Sequence, residues 1–259
     1  MNLLLEVKNL SVRFGGLLAI EDLSLEVREG EVLSLIGPNG AGKTTAFNAI
    51  TGYLPRSSGE IVFRDKKINR MKPHQVAALG LVRTFQKTSV FGGRSALENI
   101  LIGLELRTTQ TPLEILLGMP KVAREERELA AEAERILGFV NLKNRKSELA
   151  SALPYGEQRL LEVAIALAAR PKLLLLDEPV SGMNPSETAS FMAKLADIRA
   201  LGITVLLVEH DMKMVMGVSD RVLCLSQGRI IANGTPAEIQ RDPEVIRAYL
   251  GERHKNAHH

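Results

Sequence analysis

Two short segments contain residue types whose spacing could do phosphate chemistry. The first is Gly37-Pro38-Asn39-Gly40-Ala41-Gly42-Lys43-Thr44-Thr45, which leaves the apolar run Val32 to Ile36 and enters a helical pattern. Glycines let the backbone turn so that successive amide hydrogens face inward and form a nest for anionic oxygens. A helix opening near Lys43 adds its positive end, Lys43 neutralises the outer phosphates, and Thr44 can ligate Mg²⁺. The second is Leu173-Leu174-Leu175-Leu176-Asp177-Glu178-Pro179, an apolar run feeding two carboxylates. At the carboxyl end of a buried parallel strand, Asp177 would emerge where ligands of open α/β sheets collect. There it could hold Mg²⁺ through water, while Glu178 polarises the attacking water. An Asp-Glu pair is also an ordinary strand end, and the phosphate loop is what favours the catalytic reading.

Two further candidates are weaker by themselves. His210 ends the run Val205 to Val208 and can donate a hydrogen bond to a γ-phosphate, although a strand-end histidine is also a common structural residue. Leu153-Pro154-Tyr155-Gly156-Glu157-Gln158 precedes a long apolar helix, Leu160 to Ala169. Gly156 at a helix start leaves amides facing outward for an anion, or else belongs to a routine helix cap.

These residues need elements to hold them. Short alternating runs, Leu3 to Val7, Leu23 to Val27, Val32 to Ile36 and Ile61 to Phe63, read as strands, and Lys43 to Thr51 reads as a helix with Gly52 at its C-cap. Between about Ser95 and Ser151 strand signals stop and Ala, Leu, Glu and Arg dominate at helical spacing, most densely in Val122 to Leu137. This predicts an inserted helical subdomain, with Arg124 to Glu134 as a solvated face carrying i,i+4 pairs. After Pro171 the strand, helix, strand rhythm returns: Leu173 to Leu176, Pro185 to Leu201, Ile203 to Val208, then Arg221 to Leu225 and Arg229 to Ala232. Continuous apolar strands separated by helices predict a parallel sheet covered on both faces. Small helices and a polar tail, His254 to His259, close the chain.

The 259 residues fit one α/β domain with a subdomain set into it, and 45% hydrophobic with 24% charged residues is ordinary for a globular chain. A net charge of +3 would suit an anionic membrane surface or nucleic acid, but the absence of a dense Lys/Arg block and only 4% aromatics argue against a nucleic-acid partner. The single cysteine, Cys224, sits in an apolar run and cannot form an internal disulfide, which fits a core residue in a reducing compartment. No apolar run reaches the roughly 20 residues that cross a bilayer, so membrane contact is expected through a partner.

Taken together, these segments resemble the nucleotide-binding subunits of ABC transporters over nearly the whole chain. In that light Gly37 to Thr45 is similar to Walker A, Gln86 to the Q-loop glutamine, Leu153 to Gln158 to the signature, Leu173 to Glu178 to Walker B, and His210 to the switch histidine. Phe14 stands where the family places an aromatic that stacks on adenine, and a core aromatic is the other reading. The resemblance implies a P-loop NTPase cassette with a mainly parallel core sheet, an N-terminal antiparallel β subdomain and an inserted α-helical subdomain. The implied division is 1–94 and 159–235 for the core, 95–158 for the helical subdomain and 236–259 for C-terminal helices. The implied cofactors are ATP and Mg²⁺, with Thr44, Gln86 and Asp177 around the metal and Glu178, His210 and Lys43 in catalysis. Tyr155, Gly156, Glu157 and Gln158 would meet the nucleotide from a second ATPase subunit, identical or related. Permease subunits and, indirectly, a substrate-binding protein complete the partner set at the cytoplasmic face of the inner membrane. Thr88 to Gly93, with Val90 and Phe91, is the expected docking loop for a permease helix, or else a loop packed on its own core.

Two departures from the family pattern stand out. Pro154 and Tyr155 occupy the places of serine and glycine in LSGGQ, which removes a hydroxyl expected to reach the γ-phosphate. Asn184 stands where many relatives have Asp. Together with Leu81-Val82-Arg83-Thr84-Phe85-Gln86, Glu209-His210-Asp211-Met212 and Ala232-Asn233-Gly234-Thr235-Pro236, the signature variant resembles the LivG-type ATPases of branched-chain amino acid importers. Urea and short-chain amide importers, and more distantly the lipopolysaccharide export ATPase, use similar subunits. A GTPase lacks support because no Asn-Lys-x-Asp segment is present, and a small-molecule kinase would not need a signature. A soluble ABC ATPase of DNA repair or translation would carry a coiled-coil insertion or tandem cassettes, and this chain has neither.

Overall fold

The computed structural model describes residues 2–84, 90–105 and 119–256. Gln86, Thr88 and the end of the histidine-containing tail lie outside the described residues. The chain forms two compact units, one from 1–83 with 172–259 and the other from 84–171.

The first unit contains two sheets. β1 (Leu3–Phe14), β2 (Leu17–Arg28), β4 (Ser58–Phe63) and β5 (Lys66–Lys67) form an antiparallel sheet in the order β2-β1-β4-β5. β1 and β2 run beyond the apolar cores read from sequence because their solvent-facing residues also pair. The inward residues Leu5, Val7, Leu10 and Val12 are buried, as alternation on a one-sided sheet requires.

The second sheet has the order β10-β9-β3-β8-β7-β6, with β3 (Val32–Ile36), β6 (Leu81–Arg83), β7 (Leu173–Asp177), β8 (Thr204–Val208), β9 (Arg221–Ser226) and β10 (Arg229–Gly234). All neighbours are parallel except β9 and β10, which form a hairpin. Every residue of β3, β7 and β8 is buried, which is why their sequences are continuous apolar runs and not alternating ones. The register pairs Leu35 with Val208 and Val208 with Asp177, so the carboxyl ends of β3, β8 and β7 lie side by side. Around them stand α1 (Lys43–Ile50), α2 (Pro73–Ala78), α6 (Pro185–Ala200), α7 (Met212–Val218), α8 (Pro236–Arg241) and α9 (Pro243–Asn256). Cys224 is free and buried, and burial pushes its thiol up to about 11.

The second unit is helical: α3 (Ala96–Glu105), α4 (Pro120–Phe139) and α5 (Tyr155–Ala168). Ile100, Leu104, Ala133, Leu137, Leu161 and Ala164 form its core. The unit is wider than the expected 95–158, because α5 begins at Tyr155, not near Leu160, and packs its apolar face into this core. Arg124 and Glu128 form an exposed i,i+4 pair at 2.9 Å, in keeping with a solvated face. Of the expected docking loop, Val90 packs on the helical core whereas Phe91 is exposed.

Candidate functional site

The loop after β3 turns into α1 through glycines, two of which, Gly37 and Gly42, have no room for a Cβ. A Cβ on Gly37 (φ 149°) would lie 2.0 Å from the carbonyl oxygen of Leu225. At Gly42 (φ 107°), the left-handed N-cap of α1, a Cβ would meet Ile20 Cδ1 at 2.6 Å and Ala19 O at 2.9 Å. The first-turn amides of α1, at Lys43, Thr44 and Thr45, have no intrahelical acceptor. Lys43 is buried and donates from Nζ to the carbonyls of Gly37 (2.6 Å) and Pro38 (2.8 Å), so its ammonium is held over the loop. Thr44 is exposed and Thr45 half-buried.

This loop opens on a cleft of about 550 Å³ lined by Phe14, Leu17, Ala19, Asn39 to Thr45, Glu178 and Gln227, among others. The structure thus brings Phe14, the phosphate loop and Glu178 to one place. Phe14 is half exposed and pairs across the β1–β2 hairpin with Leu17, so it is a surface aromatic at the mouth of the cleft and not a core one. Leu17 and Gln227 were not read as site residues. The cleft takes them from hairpin tips, where nothing local in the chain points at a ligand.

Asp177 ends β7 almost wholly buried, and Glu178 follows with φ 48°. Holding a non-glycine residue in that region costs of order 1–3 kcal/mol, and here the Glu178 amide is tied to Val208 O at 2.9 Å. Burial raises the Asp177 carboxyl above the usual range, partly offset by Arg83. Arg83 Nη2 donates to Asp177 Oδ2 at 2.6 Å while Oδ1 is buried with no hydrogen-bond partner. Removing one member of such a buried pair typically costs about 3–5 kcal/mol. An unpartnered, buried carboxylate oxygen fits a divalent cation ligand, directly or through water.

His210 Nδ1 lies 4.0 Å from Glu178 Oε1, beyond hydrogen-bond range, and its side chain is 57% exposed. Its backbone is fixed by Glu209, whose buried carboxylate accepts from the amides of Val180 (3.1 Å), His210 (2.9 Å) and Asp211 (3.2 Å). One carboxylate thereby clamps the loops after β7 and β8. Asn184 caps α6, accepting from the amides of Ser186 and Glu187, while Glu187 accepts from the Asn184 amide. The amide side chain caps as an aspartate would.

The segment Leu153 to Gln158 belongs to the helical unit. Pro154 is the N-cap of α5 and supplies no side-chain bond. Tyr155 is exposed, and its hydroxyl accepts from Arg159 Nε (3.0 Å) and Nη2 (2.8 Å). Gly156 is buried, Glu157 is half-buried, and Gln158 donates from its amide to Leu153 O at 2.8 Å.

Comparison with known proteins places this geometry. The ABC transporter family model matches residues 20–181. A second, for branched-chain amino acid ATP-binding cassette transporters, matches residues 229–255. The chain is 44% identical over 250 residues to the high-affinity branched-chain amino acid transport ATP-binding protein LivG of Salmonella typhimurium, covering 96% of this chain and 98% of that one. BraF of Pseudomonas aeruginosa, with the same description, matches at the same identity and coverage. The lipopolysaccharide export system ATP-binding protein LptB of Escherichia coli is 35% identical over 248 residues, covering 96% and 97% of the two chains. Among solved structures, the ADP conformation of MJ1267, an ATP-binding cassette of an ABC transporter, superposes with a TM-score of 0.85 at 33% identity, covering 97% of this chain and all of that one. The chain belongs to the ABC transporter family, as an ATP-binding cassette that hydrolyses ATP to drive transport.

Proposed function

We propose that this chain is the motor of an importer for branched-chain or other hydrophobic amino acids, acting as one of two ATPase subunits under a pair of permease subunits. The observation that carries the catalytic part is the cleft holding Phe14, Asn39 to Thr45 of the phosphate loop and Glu178. In this reading Phe14 stacks on the adenine, the loop amides and Lys43 hold the phosphates, and Glu178 orients water in line with the γ-phosphorus. His210 donates to the γ-phosphate. Thr44, Asp177 and Gln86 would hold Mg²⁺, which would supply neutralisation of phosphate charge. Tyr155, Gly156, Glu157 and Gln158 of a second subunit close the site through the amides at the start of α5, so that closure follows the presence of ATP.

The match of residues 229–255 to the branched-chain amino acid cassette family supports the importer over an export role. No helix among the described residues is long and apolar enough to cross a membrane, and attachment to the inner face of a membrane is assigned to the permease, with Phe91 as a contact. The test is uptake of labelled leucine by cells lacking the gene, complemented with wild type or Glu178→Gln. Restoration by the wild type alone is expected. Uptake that never depended on the gene would move the substrate to urea, amides or an exported lipid.

A further inference from the structure

We propose that Arg83 is a positioning residue for the metal of the ATP site: it holds Oδ2 of Asp177 and so presents Oδ1 to the ion. The proposal rests on the reading of Asp177 as the metal-holding acid, and extends it to a residue outside the expected motifs. Arg83 ends β6 beside β7, with Arg83 in register with Leu175. Its guanidinium is shared between two neighbouring elements. Nη2 bonds Asp177 Oδ2 at the end of β7, Nη1 bonds Asn48 Oδ1 of α1 at 2.6 Å, and the plane lies 5.5 Å from the centre of the Phe47 ring, also on α1. Both members of the ion pair are buried, with side-chain exposures of 6% and 0%.

The terminal torsion of an aspartate is broad and two-fold, so an unanchored carboxylate could present either oxygen. The rigid guanidinium fork removes that freedom, because it bonds one oxygen while its other arm is fixed on α1. The remaining oxygen, Oδ1, is the buried one without a partner. The helix that Arg83 grips is the one that opens with Lys43 and Thr44. A single side chain therefore sets the distance between the two elements that carry the expected metal ligands, Thr44 and Asp177. A lysine could not reproduce this, since a point charge has no fixed fork.

The test separates metal binding from nucleotide binding and from activity. Mn²⁺ affinity would be titrated by electron paramagnetic resonance in the presence of ATP, and metal-free affinity for a fluorescent ATP analogue would be measured in chelator. The proteins are wild type, Arg83→Met, Arg83→Lys, Asp177→Asn and the double variant Arg83→Met with Asp177→Asn. Outer-shell partners typically contribute about 10- to 100-fold to metal affinity, so Arg83→Met and Asp177→Asn are each expected to lose that much Mn²⁺ affinity, with metal-free affinity held within about twofold. Arg83→Lys is expected to fall between them and wild type. The double variant is expected to be no worse than Asp177→Asn, because Arg83 acts through that carboxylate. Wild-type Mn²⁺ affinity in folded Arg83→Met, additive losses in the double variant, or a parallel fall in metal-free affinity would each overturn the proposal while leaving the metal reading of Asp177 intact. If Arg83→Met does not fold, unchanged Mn²⁺ affinity in Arg83→Lys overturns it instead. Should Asp177→Asn bind Mn²⁺ as wild type does, the metal assignment of Asp177 itself falls, and this proposal with it.

Discussion

At the start of α1 a buried lysine is bonded to two carbonyls of its own loop, and the glycines that shape the loop sit against Leu225, Ile20 and Ala19. At the start of α5 an N-cap proline makes no side-chain bond, an exposed tyrosine accepts from Arg159 at its hydroxyl, and the Gln158 side-chain amide donates back to Leu153. The first helix start is a pocket made in advance by one unit. The second has Tyr155 held by Arg159 of the same helix and Gln158 held on the segment before it, which leaves the first-turn amides without an intrahelical acceptor. A ligand held by one chain calls for the first design, and a surface that completes another chain's site calls for the second. Each end can therefore be broken separately, and the sizes of the effects should differ.

The largest effect is expected in the pocket at Glu178. Glu178→Gln keeps the shape and hydrogen bonding but removes the base, and general-base catalysis is typically worth about 10²–10⁴ in rate. Phosphate release should fall by that order while ATP affinity by calorimetry stays, and hydrolysis near the wild-type rate would remove Glu178 from its role. Next comes Lys43→Ala, which deletes a contact to charged oxygens worth about 1.5–3 kcal/mol, so ATP affinity should drop about 10- to 100-fold. Unchanged affinity would mean that the loop amides alone hold the phosphates.

The pocket side was legible in sequence because its logic is local. Glycine spacing, a lysine and a threonine within nine residues, and carboxylates at the end of an apolar strand are all short-range patterns. Arg83 and Glu209 stand within recognisable motifs but their roles are not legible there, since what they do depends on distant partners: Asp177 lies 94 residues from Arg83, and Glu209 reaches back 29 residues to Val180. The helical unit was legible in kind but not in extent. Polar residues at 155–159 masked the first turn of α5, whose apolar face becomes visible only from Leu161 onward once Ala164 and Ala168 join the core. Asn184 looked like a loss of charge, and proved to be a helix cap that needs only an acceptor oxygen.

The smallest effect, and the one that sharpens the contrast most, belongs to Pro154→Ser. In the isolated chain two terms oppose each other. A serine N-cap bond typically stabilises by about 0.5–2 kcal/mol, whereas losing a proline whose φ already suits the position costs about 0.4–1 kcal/mol through the unfolded state. The unfolding free energy should therefore change by between about −0.5 and +1.6 kcal/mol. Turnover is different, because a hydroxyl placed at a second subunit's γ-phosphate adds a donor worth about 0.5–1.5 kcal/mol, or roughly 2- to 10-fold. The Tyr155 hydroxyl accepts two hydrogen bonds from Arg159, which hold the ring against its own helix. The expected result is a melting temperature close to wild type with ATP turnover raised several-fold. A clear rise in melting temperature with flat turnover would make the start of α5 only a cap, and the two helix starts would then no longer differ in purpose.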